Sequence, residues 1–266
     1  MYIGMRGHDF DTNTLDALCE KCKEYGVGGV QLVLLRSLAD FKKGNFTPEY
    51  AKSIGDKLRE NGIRVPILGC YINPSDANEE SLNESLDYFI ENLHYAKYIG
   101  AEMVGLETCR FSDDDEINNS EETYQYLLKN MKKLVSAAEE IGVNVGIEGV
   151  HFHVINTPTK MKRLVDDLNS PNVRVIFDPV NYINTANYKN QDEIINTHFD
   201  LLGEKTKLLH LKDFKLVDGE VAYEFPCDDL LWDKLKQYNP DIAVILEEVK
   251  EDHLAQVKAA VEKRFV

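Results

Sequence analysis

Four side chains able to hold a cation or move a proton recur along the chain at a nearly constant interval. Glu148, Asp178, His210 and Glu247 lie 30, 32 and 37 residues apart, each step close to the ~30 residues of one βα unit. Each ends or interrupts a β-prone run: Glu148 ends VNVGIE, Asp178 ends VRVIFD, His210 lies in LLHL and Glu247 ends AVILE. Three carboxylates and an imidazole at one level of a partly buried site cannot stay charged and unpaired, and a divalent cation resolves the conflict. Oxygen-rich ligation with one imidazole points to Mn²⁺ first and to Mg²⁺ or Co²⁺ next. The set lacks the thiolates of structural zinc sites, while catalytic Zn²⁺ stays open. Taken singly, each carboxylate fits a helix cap or a salt bridge just past a strand equally well. Four in successive units favour one shared site.

Those residues must be positioned by the elements around them. Short apolar runs at 2–5, 29–34, 64–71, 102–107, 143–148, 173–178, 208–211 and 243–247 predict strands. They are apolar throughout instead of alternating, as in a parallel sheet covered on both faces. Between them, amphipathic stretches at 14–25, 48–61, 80–99, 121–141, 158–168, 192–202, 228–238 and 252–265 predict helices. Asn156-Thr157-Pro158 is a helix-start signal, and Gly62, Gly100 and Gly142 follow helix ends. Eight strands alternating with eight helices predict a (β/α)₈ TIM barrel over residues 1–266 as a single domain. An open doubly wound sheet would carry a phosphate loop after its first strand, and RGHDFDTN has none. The stretches 71–80 and 214–227 are predicted to be irregular.

In such a barrel the reacting groups stand at the C-terminal strand ends. The four residues then occupy strands five to eight in order, on one half of the mouth. Glu107 at the end of strand four, and Arg6 and His8 after strand one, are placed to contact a substrate. Arg6 and Arg110 are also suited to hold an anionic group through forked hydrogen bonds. Strand alternation sends only one of Glu247 and Glu248 inward.

Composition narrows the function classes. Lys and Arg number 30 against 46 Asp and Glu, a net charge of −16, which argues against a nucleic-acid partner. No apolar run approaches the ~20 residues of a membrane span, and MYIGMRGHDFDTN lacks a signal-peptide core. A cytoplasmic protein with no membrane partner is expected. Five cysteines, an odd number, make no disulfide framework. Cys19 and Cys22 form a C-x-x-C inside the helical pattern LDALCEKCKEYG, where a structural role is preferred to a redox or zinc one.

With these residues in hand, the chain resembles the xylose isomerase-like barrels, a superfamily of sugar isomerases, epimerases, inosose dehydratases and endonuclease IV. The resemblance is carried by GIEGVHFHVINTP (146–158), VIFDPVNYIN (175–184), LLHLKDF (208–214) and VILEEV (244–249), with VPILGCYINP (65–74) similar to the third-strand segment of sugar-phosphate-isomerase-like members. It implies that Glu148, Asp178, His210 and Glu247 bind one divalent metal, with Glu248 as the rival for the last position. It also implies that Glu148 and Glu247 face each other across the substrate as acid and base. The expected partner is a sugar or sugar phosphate, and such barrels often form homodimers.

The chemistry agrees. A proton beside a carbonyl is too weakly acidic for a carboxylate to remove unaided, and a metal on the carbonyl oxygen and adjacent hydroxyl stabilises the enediolate. Proton return to the opposite face epimerises, return to the neighbouring carbon isomerises, and loss of a β-hydroxyl dehydrates. Asn181 stands where many relatives carry a His that the DNA-repair members use in a multi-zinc cluster, which argues against nuclease chemistry. Asn181 itself is expected to bind a sugar hydroxyl or to cap its turn. Lys212 in H-L-K-D resembles the inosose-dehydratase pattern; it is expected to be an exposed loop lysine or, in a functional role, to steady an enolate oxygen or a phosphate. His151 and His153 follow Glu148 as H-x-H, and His153 is taken as a substrate contact. An isomerase or epimerase is the leading reading. An inosose-type dehydratase, an abasic-site nuclease and a non-catalytic sugar- or metal-binding barrel are the alternatives.

Overall fold

The computed structural model describes residues 1–217, 220–224, 229–239 and 241–265. Eight parallel strands close into a barrel: β1 (Tyr2–Arg6), β2 (Gly29–Leu32), β3 (Arg64–Gly69), β4 (Val104–Glu107), β5 (Val145–Glu148), β6 (Val173–Phe177), β7 (Thr206–Leu211) and β10 (Ala243–Leu246). β1 pairs with β2 on one side and with β10 on the other, which completes the ring. The long helices between them are α1 (Leu15–Glu24), α3 (Pro48–Glu60), α4 (Glu79–Ile99), α6 (Glu121–Ile141), α7 (Pro158–Leu168), α8 (Gln191–Leu202), α9 (Asp229–Tyr238) and α10 (Leu254–Phe265). The predicted (β/α)₈ architecture is therefore the observed one.

Helix ends follow from local chemistry. Thr47 and Thr157 accept hydrogen bonds from the backbone amides of Tyr50 and Lys160 at the starts of α3 and α7, each with proline in the first turn. Gly100 and Gly142 end α4 and α6 with φ of 84° and 81°, a left-handed conformation that glycine adopts without a Cβ clash.

Three departures from the predicted elements occur in loops. Two short helices, α2 (Leu34–Ser37) and α5 (Asp115–Asn118), lie in the loops after β2 and β4, so the run at 29–34 breaks out of the sheet before its end. Part of the stretch predicted as irregular after β7 is an antiparallel hairpin of β8 (Asp213–Val217) and β9 (Glu220–Glu224). Its sequence signal is the pair of β-prone runs DFKLV and EVAYE. Cys227 and Asp228 lie outside the described residues.

Two apolar layers hold the barrel. Outward strand residues pack with the helices in one large core, and Ile67, Met103, Ile176, Leu208, Ala243 and Ile245 fill the barrel interior. Cys19 and Cys22 are buried in the outer core, where burial pushes the Cys22 thiol up to about 12; the C-x-x-C is packing material. Among the described residues no helix is long and apolar enough to cross a membrane.

One contact between helices tolerates no side chain. A Cβ on Gly55 of α3 would lie 2.3 Å from the Ile99 carbonyl oxygen and 2.7 Å from its Cα, and backbone atoms at the end of α4 cannot step aside. Gly55→Ala should therefore lower stability by about 2 kcal/mol, outweighing the ~1 kcal/mol of helix propensity that alanine gains. A shift of the urea midpoint to lower concentration checks this, and a neutral or stabilising result would contradict the packing described.

Candidate metal centre and active site

Strand parity builds the site. Alternate side chains of each barrel strand face the interior, so stepping by two from the apolar plug leads to the mouth. Ile176 leads to Asp178, Leu208 to His210, Ile245 to Glu247 and Gly146 to Glu148; around the rest of the ring Gly4 leads to Arg6 and Gly105 to Glu107. The interior thus changes from aliphatic below to ionisable above within one step along each strand. A cavity of about 390 Å³ opens over this ring, with Arg6, His8, Glu107, Glu148, Asn181, Lys212 and Glu247 on its walls.

Glu148, Asp178 and His210 each offer a ligand atom, and these atoms all lie within 4.8 Å of one another. The three side chains are 1%, 0% and 1% exposed. His210 Nδ1 lies 3.1 Å from Glu148 Oε2 and 3.4 Å from Glu247 Oε1, yet neither contact is aligned as a full hydrogen bond. A buried imidazole nitrogen among carboxylate oxygens, without a satisfying partner, is a donor set that would hold a divalent ion. Glu247 reaches the same imidazole but is not one of the mutually close triad.

The surrounding groups hold these carboxylates in place. Asp178 Oδ1 accepts from the Val180 and Asn181 amides at 2.9 and 3.1 Å, and its Oδ2 pairs with Lys212 Nζ at 2.7 Å. Lys212 Nζ also reaches Glu247 Oε2 at 3.1 Å. Asn181 Nδ2 donates to Glu148 Oε1 at 2.7 Å. Lys212 is only 7% exposed, so the exposed-loop reading of this lysine is corrected: two residues beyond His210, it shares the inward parity. Asn181 lies on the cavity wall, with its amide directed to Glu148.

The other predicted residues divide. Glu107 lines the cavity, and burial followed by the Glu148 and Glu247 charges raises its carboxyl to about 7. His8 lines it too; burial and the Arg6 and Arg36 charges lower its imidazole to about 4. Arg6 lines it, with Nε 2.8 Å from Asp9 and Nη2 3.1 Å from Glu248. His153, expected to touch substrate, is buried beside Glu107, its Nε2 3.7 Å from Oε2, and is not on the cavity wall. Arg110, expected to hold an anion, is turned into its own loop on the Ser112 and Asp113 carbonyls and Asp115.

Both Glu247 and Glu248 line the cavity. Glu248 has φ of 55°, and this left-handed residue breaks the alternation that would have turned it away. Gln31, Arg36, Tyr71, Val150 and Phe152 complete the walls. Sequence reasoning passed over them, although a glutamine within the apolar run GVQLVL was a readable signal for Gln31.

Electrostatics set a pH dependence. Burial alone would depress the His210 imidazole, but the Glu148 and Glu247 carboxylates overcome it and push it up to about 9. Burial raises Asp178 to about 6 against the pull of Lys212. Glu247, despite burial, is held down at about 2 by His210, Lys212 and Arg6. At pH 7 His210 is thus protonated in the metal-free protein, and an ion must displace that proton. Binding should release about one proton per ion, and affinity should rise about tenfold per pH unit between roughly pH 6 and 9. Titration calorimetry in two buffers of different ionisation enthalpy reads the proton directly, and equal heats in both would refute this account.

Known proteins resemble the chain at the level of this fold. A family model described as xylose isomerase-like TIM barrel matches residues 19–257. Among solved structures, the IolI protein with a zinc atom superposes with a TM-score of 0.77 at 17% identity, covering 100% of this chain and 98% of its own. The 3-keto-D-glucoside 4-epimerase YcjR from E. coli superposes with a TM-score of 0.75 at 16% identity, covering 99% of both chains. The probable 3-DHS dehydratase AsbF from Bacillus anthracis gives 0.77 at 11% identity, covering 98% of this chain and 99% of its own. No curated protein matches the sequence.

Proposed function

The chain belongs to the xylose isomerase-like TIM barrel family, and from that premise we propose that residues 1–266 act as one domain, a divalent-metal-dependent enzyme that isomerises or epimerises a sugar or sugar derivative. The observation that carries this reading is the convergence of Glu148, Asp178 and His210 within 4.8 Å, with Glu247 3.4 Å from the same imidazole. Glu148, Asp178 and His210 would hold the ion, with Glu247 as a fourth ligand. Mn²⁺ is the proposed ion, since a single imidazole among carboxylates suits it. When bound, the ion supplies the positive charge that stabilises an enediolate.

The chain's own groups would move the proton. Glu247, kept ionised by His210, Lys212 and Arg6, is the base that accepts a proton from the carbon beside the carbonyl. Glu148 is fixed by the Asn181 amide at Oε1. It stands three strands away round the ring β5, β6, β7, β10, and so approaches the substrate from another direction. Glu107, with its carboxyl raised to about 7, is a further proton source beside Glu148, its register partner on the adjacent strand. The Lys212 ammonium, buried between Asp178 and Glu247, is positioned to steady a developing oxyanion.

That buried lysine favours one second reading, dehydration of an inosose-type ketone, in which the same proton abstraction is followed by loss of a β-hydroxyl. Incubation of Mn²⁺-loaded protein with ketoses, aldoses and inososes in D₂O tests both. Deuterium at the α-carbon with retained mass of the carbon skeleton supports isomerisation or epimerisation, and loss of water supports dehydration. Metal binding without exchange or elimination on any member of the panel would leave a non-catalytic barrel.

A further inference from the structure

The cavity wall carries the carboxylates of Glu107, Glu148, Glu247 and Glu248 against the cations of Arg6, Arg36 and Lys212. Two of these cations are already neutralised. Lys212 pairs with Asp178 and Glu247, and Arg6 with Asp9 and Glu248. Arg36 differs. It is exposed, and its guanidinium makes no ion pair or hydrogen bond among the described residues. It lies in α2, directly after β2, on the side of the mouth away from the triad on β5, β6 and β7.

Among the described residues, buried polar atoms on that same side also lack partners. Gln31 is fully buried; its Nε2 donates to the Tyr71 hydroxyl, while its Oε1 meets no donor. His8 Nδ1 is likewise buried without a partner. Buried acceptors left unsatisfied are rare in folded proteins, and at a cavity wall a water or a ligand hydroxyl supplies the donor. A second hollow of about 460 Å³, lined among others by Lys43, Asp76 and Glu84, shares Arg36 and Tyr71 with this cavity. Arg36 is the cation common to both spaces.

We infer that the cavity takes a polyol whose end remote from the triad bears an oxyanion, with the Arg36 guanidinium receiving that oxyanion and Gln31 Oε1 accepting a hydroxyl of the chain between. The inference rests on the reading of this cavity as a sugar site. A ligand anion entering a wall rich in carboxylates needs an unneutralised cation to offset repulsion, and a guanidinium fork matches phosphate or carboxylate oxygens two at a time.

Calorimetry on the full-length Mn²⁺-loaded protein with D-fructose, D-fructose 6-phosphate and D-glucuronate tests this. At least one anionic probe should bind about tenfold or more tightly than D-fructose, and which one does so separates phosphate from carboxylate. Arg36→Gln, at an exposed position that folding does not depend on, should shrink that preference to within about twofold while leaving Mn²⁺ affinity unchanged. Gln31→Leu should weaken all three probes alike. Equal or undetectable binding of all three to the wild type, or a preference that survives Arg36→Gln, overturns the inference. If Mn²⁺ binds and substrate C–H exchange occurs without any anionic preference, only this inference fails. If no divalent ion binds but the Arg36-dependent preference persists, the proposed function fails instead.

Discussion

Exchanging Glu148 for Gln and His210 for Ala together should abolish divalent-cation binding, taking the metal content from about one ion per chain to below about a tenth of that. Asp178 and Glu247 would remain, and Lys212 already pairs with both, at 2.7 and 3.1 Å. Two carboxylates shared with a lysine cannot replace the full ligand set. The double change is chosen for charge balance. Removing His210 by itself would leave the buried Glu148 and Glu247 carboxylates without the cation between them, whereas removing one carboxylate and the imidazole deletes opposite charges together. The variant should therefore stay folded, which a thermal melt followed by circular dichroism would establish. Elemental analysis after Mn²⁺ loading and desalting reads the outcome, and an unchanged ion content would remove the basis of the proposed site.

The second large effect is on proton abstraction. Glu247→Gln should slow deuterium exchange at the substrate α-carbon by about 10²–10⁴-fold, the usual contribution of a positioned general base. Glutamine preserves the shape and keeps an oxygen toward Lys212, so the barrel is undisturbed. Loss of a base and loss of a ligand predict different responses to added metal. If Glu247 serves only to bind the ion, saturating Mn²⁺ should restore the rate; if it accepts the proton, the rate stays low at every Mn²⁺ concentration. Removing this carboxylate also takes away one of the three charges, those of Glu148, Glu247 and Asp178, that push His210 up to about 9. The imidazole of the variant should then titrate lower, visible as a shift of its ring resonances with pH in the metal-free protein.

Much of this site was legible in the chain because a parallel barrel repeats one geometry. Each βα unit consumes about thirty residues and returns the chain to the same rim, so the intervals between Glu148, Asp178, His210 and Glu247 already encoded a shared level. Lys212 lies one residue past the apolar run that ends at Leu211, yet strand parity carries on through it and turns it inward. His153 and Arg110 follow no such parity. Both lie in loops, where no periodicity dictates direction: His153 turned in behind Glu107, and Arg110 satisfied its guanidinium on local carbonyls. Gln31, Arg36 and Tyr71 emerged only when β1, β2 and β3 closed against the other strands.

What the sequence determined by itself was the alternation of elements, the ring of four metal-type residues and the acidic excess. Each of these follows from local pattern and spacing. Tertiary structure alone decided how the charges pair. The same strand alternation buries Lys212 between Asp178 and Glu247, the left-handed Glu248 brings a second carboxylate to the mouth and onto Arg6, and Arg36 is left without a counter-ion among the described residues. Charge pairing depends on distances of a few ångströms between residues far apart in the chain, because Coulomb energy between buried groups changes steeply over that range. No spacing along a sequence contains those distances; closing the barrel creates them.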